Sequence, residues 1–253
     1  MSELERFRLD GKVALVAGGS GGIGVRVAQA LAGVGAKVAV TGRSAERLAA
    51  AGDALALAGD MTLKEDADRV VEETVSRLGR IDVIVNAIGG GAGGALHPAE
   101  DYPMPEWDRM FALNLRSTVL PTQAAVRKMI AAGHGGRVLH VSSVRGQLGI
   151  DNGFSAYVAA KGALNALTRQ HATEWAKHGI TVNAISPTFV RTPQVEDLLA
   201  DEAFYQGLIG RIPLHRIAET DDLVGAVLFF CSDASSFVTG QVLTLDGGLT
   251  ATQ

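Results

Sequence analysis

The chain predicts an α/β fold: a doubly wound parallel sheet of seven strands with helices on both faces. Three observations carry it. Short apolar runs alternate with longer helical patterns along all 253 residues, and strictly alternating β and α segments require parallel strands joined by right-handed crossovers. Several of the short runs are nearly continuous in Val, Ile and Leu, as strands covered on both faces must be. The residues with evident chemistry follow the predicted strands, and such sheets bind ligands beyond the carboxyl ends of their strands, where strand order reverses.

Taken in order, residues 13–17 form the first strand, and a glycine-rich turn leads into a helix at 23–34. A second strand at 37–41 and a third at 54–58 precede a helix at 63–78. The apolar run 81–86 is the fourth strand, and after a glycine-rich stretch at 89–94 a long helical pattern occupies 105–132. Strands at 137–142 and 181–186 enclose a helix at 155–178, and a helix at 221–232 precedes the last strand at 241–245. The segments that follow strands, at 18–24, 42–43, 60–61, 86–89, 143 and 187–192, are therefore expected to share one edge. A chain of this length in an α/β fold is expected to form a single domain over residues 1–253.

Composition excludes several classes of function. Apolar residues make up 47% and charged residues 20%, with no charge block, repeat or low-complexity stretch, so disorder and solenoids are not indicated. A net charge of −4 gives no basic footprint for nucleic acid. The first eight residues are charged where a secretory signal would carry its apolar region, and no run of 18 apolar residues follows, so a cytoplasmic protein away from membranes is expected. Cys231 is the single cysteine and sits in an apolar run, which reads as a buried small side chain. No histidine stands at ligand spacing from another His, Cys or carboxylate, so no metal is expected.

The turn after the first strand reads Gly18-Gly19-Ser20-Gly21-Gly22-Ile23-Gly24. Glycines let the backbone turn tightly and approach a ligand, and the following helix N-terminus offers free N–H groups to a pyrophosphate. Between a strand and a helix this is the pattern of a dinucleotide site. At the end of the second strand, where a carboxylate would hold the ribose of NAD, stands Arg43, whose guanidinium suits the 2′-phosphate of NADP. NADP is favoured, with NAD left open.

Tyr157 and Lys161 lie four residues apart on a predicted helix, hence on one face. A Lys ammonium beneath a Tyr phenol favours the phenolate, bringing proton exchange toward neutrality. Ser143 follows the fifth strand. Its neighbour Ser142 competes for the same role, because adjacent residues of a continuing strand point to opposite sides.

With the glycine loop, Asn114, Ser143, Tyr157 and Lys161 in this order, the chain resembles the short-chain dehydrogenase/reductase family, of Rossmann-type fold, over essentially its whole length. Ala17-Gly18 through Gly24, Asp60, Asn86-Ala87-Ile88-Gly89, Asn114-Leu115, Pro187-Thr188 and Asp246-Gly247-Gly248 correspond to the family's other motifs. Ala17, Ala87, Ile88 and Thr188 depart from the family's usual residues without removing a reacting group. The resemblance implies hydride transfer between a nicotinamide and a carbonyl carbon, with Asn114, Ser143, Tyr157 and Lys161 catalytic. It implies a cofactor site of Gly18, Ser20, Gly21, Gly22, Ile23, Gly24, Arg43, Asp60, Met61, Asn86, Ala87, Gly89, Tyr157, Lys161, Pro187, Val190 and Thr192. In it Asp60 binds adenine through its side chain, the Met61 backbone flanks the adenine, Asn86 and Gly89 line the ribose and nicotinamide side, and Val190 and Thr192 meet the carboxamide. Asn114 would hold a water linking Lys161 to solvent.

Residues 191–214 look like the family's substrate lid, and 89–94 like its opposite rim. Within the family the segments 201–213 and 233–240 look most like the gluconate 5-dehydrogenase-like branch, acting on sugar acids or polyols, with 3-oxoacyl thioester reductases the nearest competitor. Arg145, Gln147 and Arg191 are candidates to meet a substrate carboxylate. A non-catalytic NADP-binding regulator on the same fold is the alternative of another class. The resemblance also implies a homotetramer built on the two long helices.

Overall fold

A computed structural model describes residues 3–90, 96–151 and 153–251 of the chain. Seven strands, β1 (Val13–Ala17), β2 (Lys37–Gly42), β3 (Leu55–Ala58), β4 (Val83–Asn86), β5 (Gly136–Val141), β6 (Ile180–Pro187) and β7 (Val242–Leu245), form one sheet in the order β3-β2-β1-β4-β5-β6-β7. Every pairing is parallel. The expected doubly wound seven-stranded sheet is thus present, with strand ends displaced by one or two residues. The order reverses between β1 and β4, so the switch point lies between them.

Alternation along β1 shows how two layers arise from one strand. Ala14 and Val16 enter a cluster with Val27 and Leu31 of α1 (Gly22–Gly33) and with Val227 and Phe230 of α9 (Val224–Cys231). Leu15 and Ala17 enter the opposite cluster, with Val70 and Val71 of α3 (Lys64–Leu78), Ala125 and Met129 of α5 (Ser117–Ala132), and Ala172 of α6 (Ser155–Trp175). Burying each Val or Leu side chain contributes about 1.5–3 kcal/mol, so a sheet covered on both faces gains twice per strand. Cys231 lies in the first cluster, and burial pushes its thiol up to about 12, so it packs as a small apolar side chain.

The uninterrupted helix expected at 105–132 is a correction. The structure has α4 (Met104–Phe111), a π-helical turn at Ala112–Arg116, and then α5. Asn114 sits in that turn with its Nδ2 donating to the Met110 carbonyl at 3.1 Å, and Pro121 has no N–H to contribute to α5. A hydrophobic period cannot register one inserted residue, and π turns of this kind concentrate at functional sites. The lid, where one short acidic helix is expected, carries two, α7 (Glu196–Leu199) and α8 (Glu202–Ile209), and a further short helix, α2 (Ala45–Leu48), went unread. No helix among the described residues is long and apolar enough to cross a membrane.

His140 on β5 is 1% exposed, and its Nδ1 accepts from Asn86 Nδ2 at 3.2 Å. Burial chiefly, then the charges of His171 and Lys161, pushes its imidazole down to about 3. An unfolded chain binds this proton near pH 6.5, so between about 6.5 and 3 the unfolded state holds a proton that the native state refuses, and stability falls as pH falls. Replacing His140 with Gln is expected to flatten urea-derived stability against pH between 6 and 4 by up to about 1.4 kcal/mol per unit. An unchanged slope would assign the acid sensitivity elsewhere.

Candidate functional site

The loops after β1 and β4 touch at the switch point. Gly18 has φ 90°, and a Cβ on it would lie 2.7 Å from the Ala87 carbonyl carbon, so only glycine admits both the turn and the contact. A Cβ on Gly24 would lie 2.0 Å from the Gly18 carbonyl oxygen, which fixes how closely α1 approaches the strand end. The N-cap of α1, Gly21, supplies no side-chain acceptor, so the first-turn N–H groups stay available to an anion. Ser20 lies against Gly42, and its carbonyl accepts a long contact from Arg47 Nη2 at 3.5 Å. Arg43 is exposed and makes no hydrogen bond or ion pair among the described residues.

Several expected cofactor residues are held differently from what the resemblance implied. Asn86 is 1% exposed, and its Nδ2 donates to Thr122 Oγ1 at 2.9 Å and to His140, so its side chain ties β4 to α5 rather than lining the cleft. Val190 is 5% exposed within the core beside Ile185 and Leu223, which withdraws its side chain from ligand contact and leaves its backbone. The Met61 side chain is likewise in the core, consistent with a backbone role. Asp60 Oδ1 accepts from the Thr62 N–H at 2.9 Å and the Thr62 hydroxyl at 2.7 Å, shaping the turn into α3. Pro187 ends β6 in a buried position, and the Thr192 methyl packs against Gly22, 2.8 Å from where a Cβ would be.

The second half of the site gathers around α6. Ser143 Oγ accepts from the Arg145 N–H at 3.2 Å and hydrogen-bonds the Tyr157 phenol. Ser142 points the other way, its hydroxyl donating to Asn165 Oδ1 at 2.6 Å, so the choice between the serines falls to Ser143. Lys161 is 3% exposed and donates from Nζ to the Val141 carbonyl at 3.0 Å. Gly89 is the point where Lys161 meets Asn114: a Cβ on Gly89 would lie 3.1 Å from Lys161 Nζ and 2.9 Å from Asn114 Oδ1. Asn114 Oδ1 accepts from the Gly90 N–H at 3.1 Å, so the π turn, the loop after β4 and α6 converge.

The electrostatics correct one expectation. Tyr157 is raised above an ordinary phenol, burial being the largest cause, and the opposing influences are the Ser143 hydrogen bond and the Arg145 charge. Lys161 is not the cation that lowers it. Its ammonium stands 5.8 Å from the centre of the Tyr157 ring, turned to a carbonyl because a buried charge needs a hydrogen-bond acceptor. Burial pushes Lys161 itself down to about 8.

Residues 191–214 carry α7 and α8, and Leu199, Leu208 and Ile212 bury against Val144 and Leu249, directly over the Ser143 turn. The opposite rim reaches them through Gly90, where a Cβ would lie 2.8 Å from Gln194 Nε2; residues 91–94 of that expected rim lie outside the described residues. Of the three candidates for a substrate carboxylate, Arg191 is bridged to Glu219 at 3.1 Å and Glu196 at 3.5 Å. Gln147 donates to Ser186 and Thr244. Arg145 is 8% exposed, with Nη1 donating to the Gly149 carbonyl at 3.1 Å. Sequence reasoning missed Arg47 and Gln194. The only signal for Arg47 was Ser44, the N-cap of α2, whose hydroxyl accepts from the Arg47 N–H.

Comparison with known proteins follows this geometry. A family model described as enoyl-(acyl carrier protein) reductase matches residues 17–250. Gluconate 5-dehydrogenase of Gluconobacter oxydans is 37% identical over 99% of each chain. The 5-keto-D-gluconate 5-reductase of Escherichia coli K12 is 36% identical over 96% of this chain and 97% of its own. The crystal structure of a gluconate 5-dehydrogenase from Burkholderia cenocepacia J2315, in complex with NADP and tartrate, superposes with a TM-score of 0.92 at 33% identity over the whole of both chains.

The Gly18–Gly24 contact tests the loop geometry. Gly24→Ala must move backbone, a strain of about 1–3 kcal/mol, so thermal unfolding is expected about 2–10 °C lower and dinucleotide affinity weaker. Calorimetry of the variant with and without NADPH checks both, and wild-type values would show that the loop is not constrained as described.

Proposed function

The chain belongs to the short-chain dehydrogenase/reductase family, and we propose that it is an NAD(P)-dependent oxidoreductase interconverting a small ketone and its secondary alcohol, the substrate being a sugar acid or polyol. The observation that carries this reading is the convergence of Ser143, Tyr157, Lys161 and Asn114 beside the switch-point glycine loop.

The residues present fit a dinucleotide. Gly18 to Gly24 form a cradle that side chains would fill, the α1 N-terminus is uncapped, and Arg43 projects an unpaired guanidinium at the end of β2. Gly18, Ser20, Gly21, Gly22, Ile23 and Gly24 would hold the pyrophosphate and Arg43 the 2′-phosphate, which favours NADP over NAD. Asp60, with one carboxylate oxygen outside its turn, and the Met61 backbone would flank the adenine. Ala87, Gly89, Pro187, the Val190 backbone and Thr192 would line the nicotinamide side. When bound, the nicotinamide supplies or accepts the hydride.

The chain's own groups handle the proton. Tyr157, held protonated at neutral pH by its burial, donates to the carbonyl oxygen during reduction and recovers the proton during oxidation. Ser143 accepts from the Arg145 N–H, and its own hydroxyl proton, directed at the Tyr157 oxygen, turns to hydrogen-bond the substrate oxygen as charge develops. Lys161 supplies a buried ammonium beneath Tyr157 that would hold the ribose hydroxyls, and Asn114 would hold a water linking it to solvent. Residues 1–253 act as one unit, with 191–214 closing over substrate. We place the protein in the cytoplasm as a homotetramer; Phe237, fully exposed ahead of β7, and Leu243, 40% exposed on that edge strand, are apolar surface that further copies would cover.

Two substitutions test the assignment. Tyr157→Phe is expected to lower kcat about 10²–10⁴-fold while NADPH binding, read by fluorescence, stays within about threefold; substantial residual turnover would refute the proton role. Arg43→Ala is expected to raise KM for NADPH about ten- to a hundredfold, a loss of roughly 1.5–3 kcal/mol, and to leave KM for NADH nearly unchanged. A panel of sugar acids, polyols and 3-oxoacyl thioesters with both nucleotides identifies the substrate class, and preference for thioesters would displace the sugar-acid reading.

A further inference from the structure

Arg145 presents a physical anomaly. Its side chain is 8% exposed, yet among the described residues no carboxylate pairs with it, and its one hydrogen bond goes from Nη1 to the neutral Gly149 carbonyl. Arginine is almost never buried to this extent without a counterion, because an unpaired charge out of water is strongly disfavoured. The surroundings aggravate the cost. Arg211, at the end of α8 in the lid segment, is close enough for its charge to act on Arg145, and it too has no carboxylate partner among the described residues. Other cations on this side are neutralised: Arg191 by Glu196 and Glu219, Arg216 by Asp222. Two cations without a carboxylate partner among the described residues, buried Arg145 and exposed Arg211, thus act on one another, and Arg145 is near enough to Tyr157 for each charge to influence the other.

We propose that Arg145, assisted by Arg211 from the lid, is the seat for a carboxylate of the substrate, so that the ketone reduced at Tyr157 and Ser143 belongs to a hydroxylated keto acid. The proposal rests on the oxidoreductase reading and narrows its substrate class. The same residue links binding to chemistry, since its backbone N–H holds Ser143 Oγ while its guanidinium meets the anion. An arriving carboxylate supplies the missing counterion, and a bidentate contact with the guanidinium orients the substrate as well as binding it. A neutral ketone leaves the two cations unpaired, which is a source of selectivity against it.

The test uses the NADP-loaded enzyme with Arg145→Gln, Arg145→Lys and Arg211→Gln. The substrates are 5-keto-D-gluconate and the ketose in which a hydroxymethyl group replaces its carboxylate. Arg145→Gln is expected to raise KM for the keto acid at least tenfold more than for the ketose, Arg145→Lys to recover part of the difference, and Arg211→Gln to show a smaller loss of the same kind. Tartrate, an unreactive carboxylate, provides a readout independent of turnover: its affinity for the NADP complex by calorimetry is expected to fall at least tenfold in Arg145→Gln. Equal losses on both substrates would mean that Arg145 only holds the Ser143 turn, and would overturn the proposal, as would tartrate binding unaltered by Arg145→Gln or undetectable in the wild type. A wild-type enzyme that binds tartrate through Arg145 but reduces no keto acid would instead refute the sugar-acid reading and leave the carboxylate seat standing.

Discussion

β1 pairs with β2 on one side and β4 on the other, and the site depends on that double pairing. It sets the strand order to reverse beside β1, so the loops after β1 and β4 leave in opposite directions from adjacent strands and open a crevice. The contact of Gly18 with the Ala87 backbone is its floor, and a methyl group there would not fit. Because both faces of the sheet are covered by apolar clusters, polar side chains with chemistry are driven to the strand ends. The crevice and the catalytic groups therefore meet at one edge as a consequence of topology.

Around that edge the protein buries more polar and charged groups than stability alone would favour. Lys161, Asn114, Ser143 and Arg145 are each at most 8% exposed. Lys161 and Asn114 are satisfied by carbonyls and by the Gly90 N–H, arranged by a π turn and a glycine at the crossing point. Burial raises the Tyr157 phenol and lowers the Lys161 ammonium to about 8, so the two groups, nearly matched in water, titrate further apart in the folded protein. Arg145, like Lys161, is held by a neutral carbonyl, and it is the cation whose charge acts on Tyr157.

The sheet, its strand succession and the Tyr157–Lys161 pair were legible because each is a local periodic signal: apolar runs for strands, i and i+4 for one helical face. Ser143 was legible by its position after a strand, although separating it from Ser142 needed the Asn165 partner that α6 brings. The break at Asn114 was not legible, since the residues on either side keep helical character and the insertion changes only the hydrogen bonds. Nor was α2, with Arg47, which at four residues is too short to show a period. Asn86 and Val190 were placed by resemblance in the cofactor site, while their side chains are fixed by Thr122 and by the core, partners far away in sequence.

By itself the sequence determined the fold class and singled out the edge and the residues proposed to react, because these follow from local spacing and from what comes after each strand. Tertiary structure alone decided which charges are free. Arg145, Gln147 and Arg191 were equal candidates along the chain, and only folding brought Glu196 and Glu219 to Arg191, Ser186 and Thr244 to Gln147, and, among the described residues, no carboxylate to Arg145. The same holds for Lys161, whose ammonium turns to the Val141 carbonyl. A side chain's charge is written in the sequence, but its counterion and its dielectric surroundings are set by residues that only the packed chain makes neighbours.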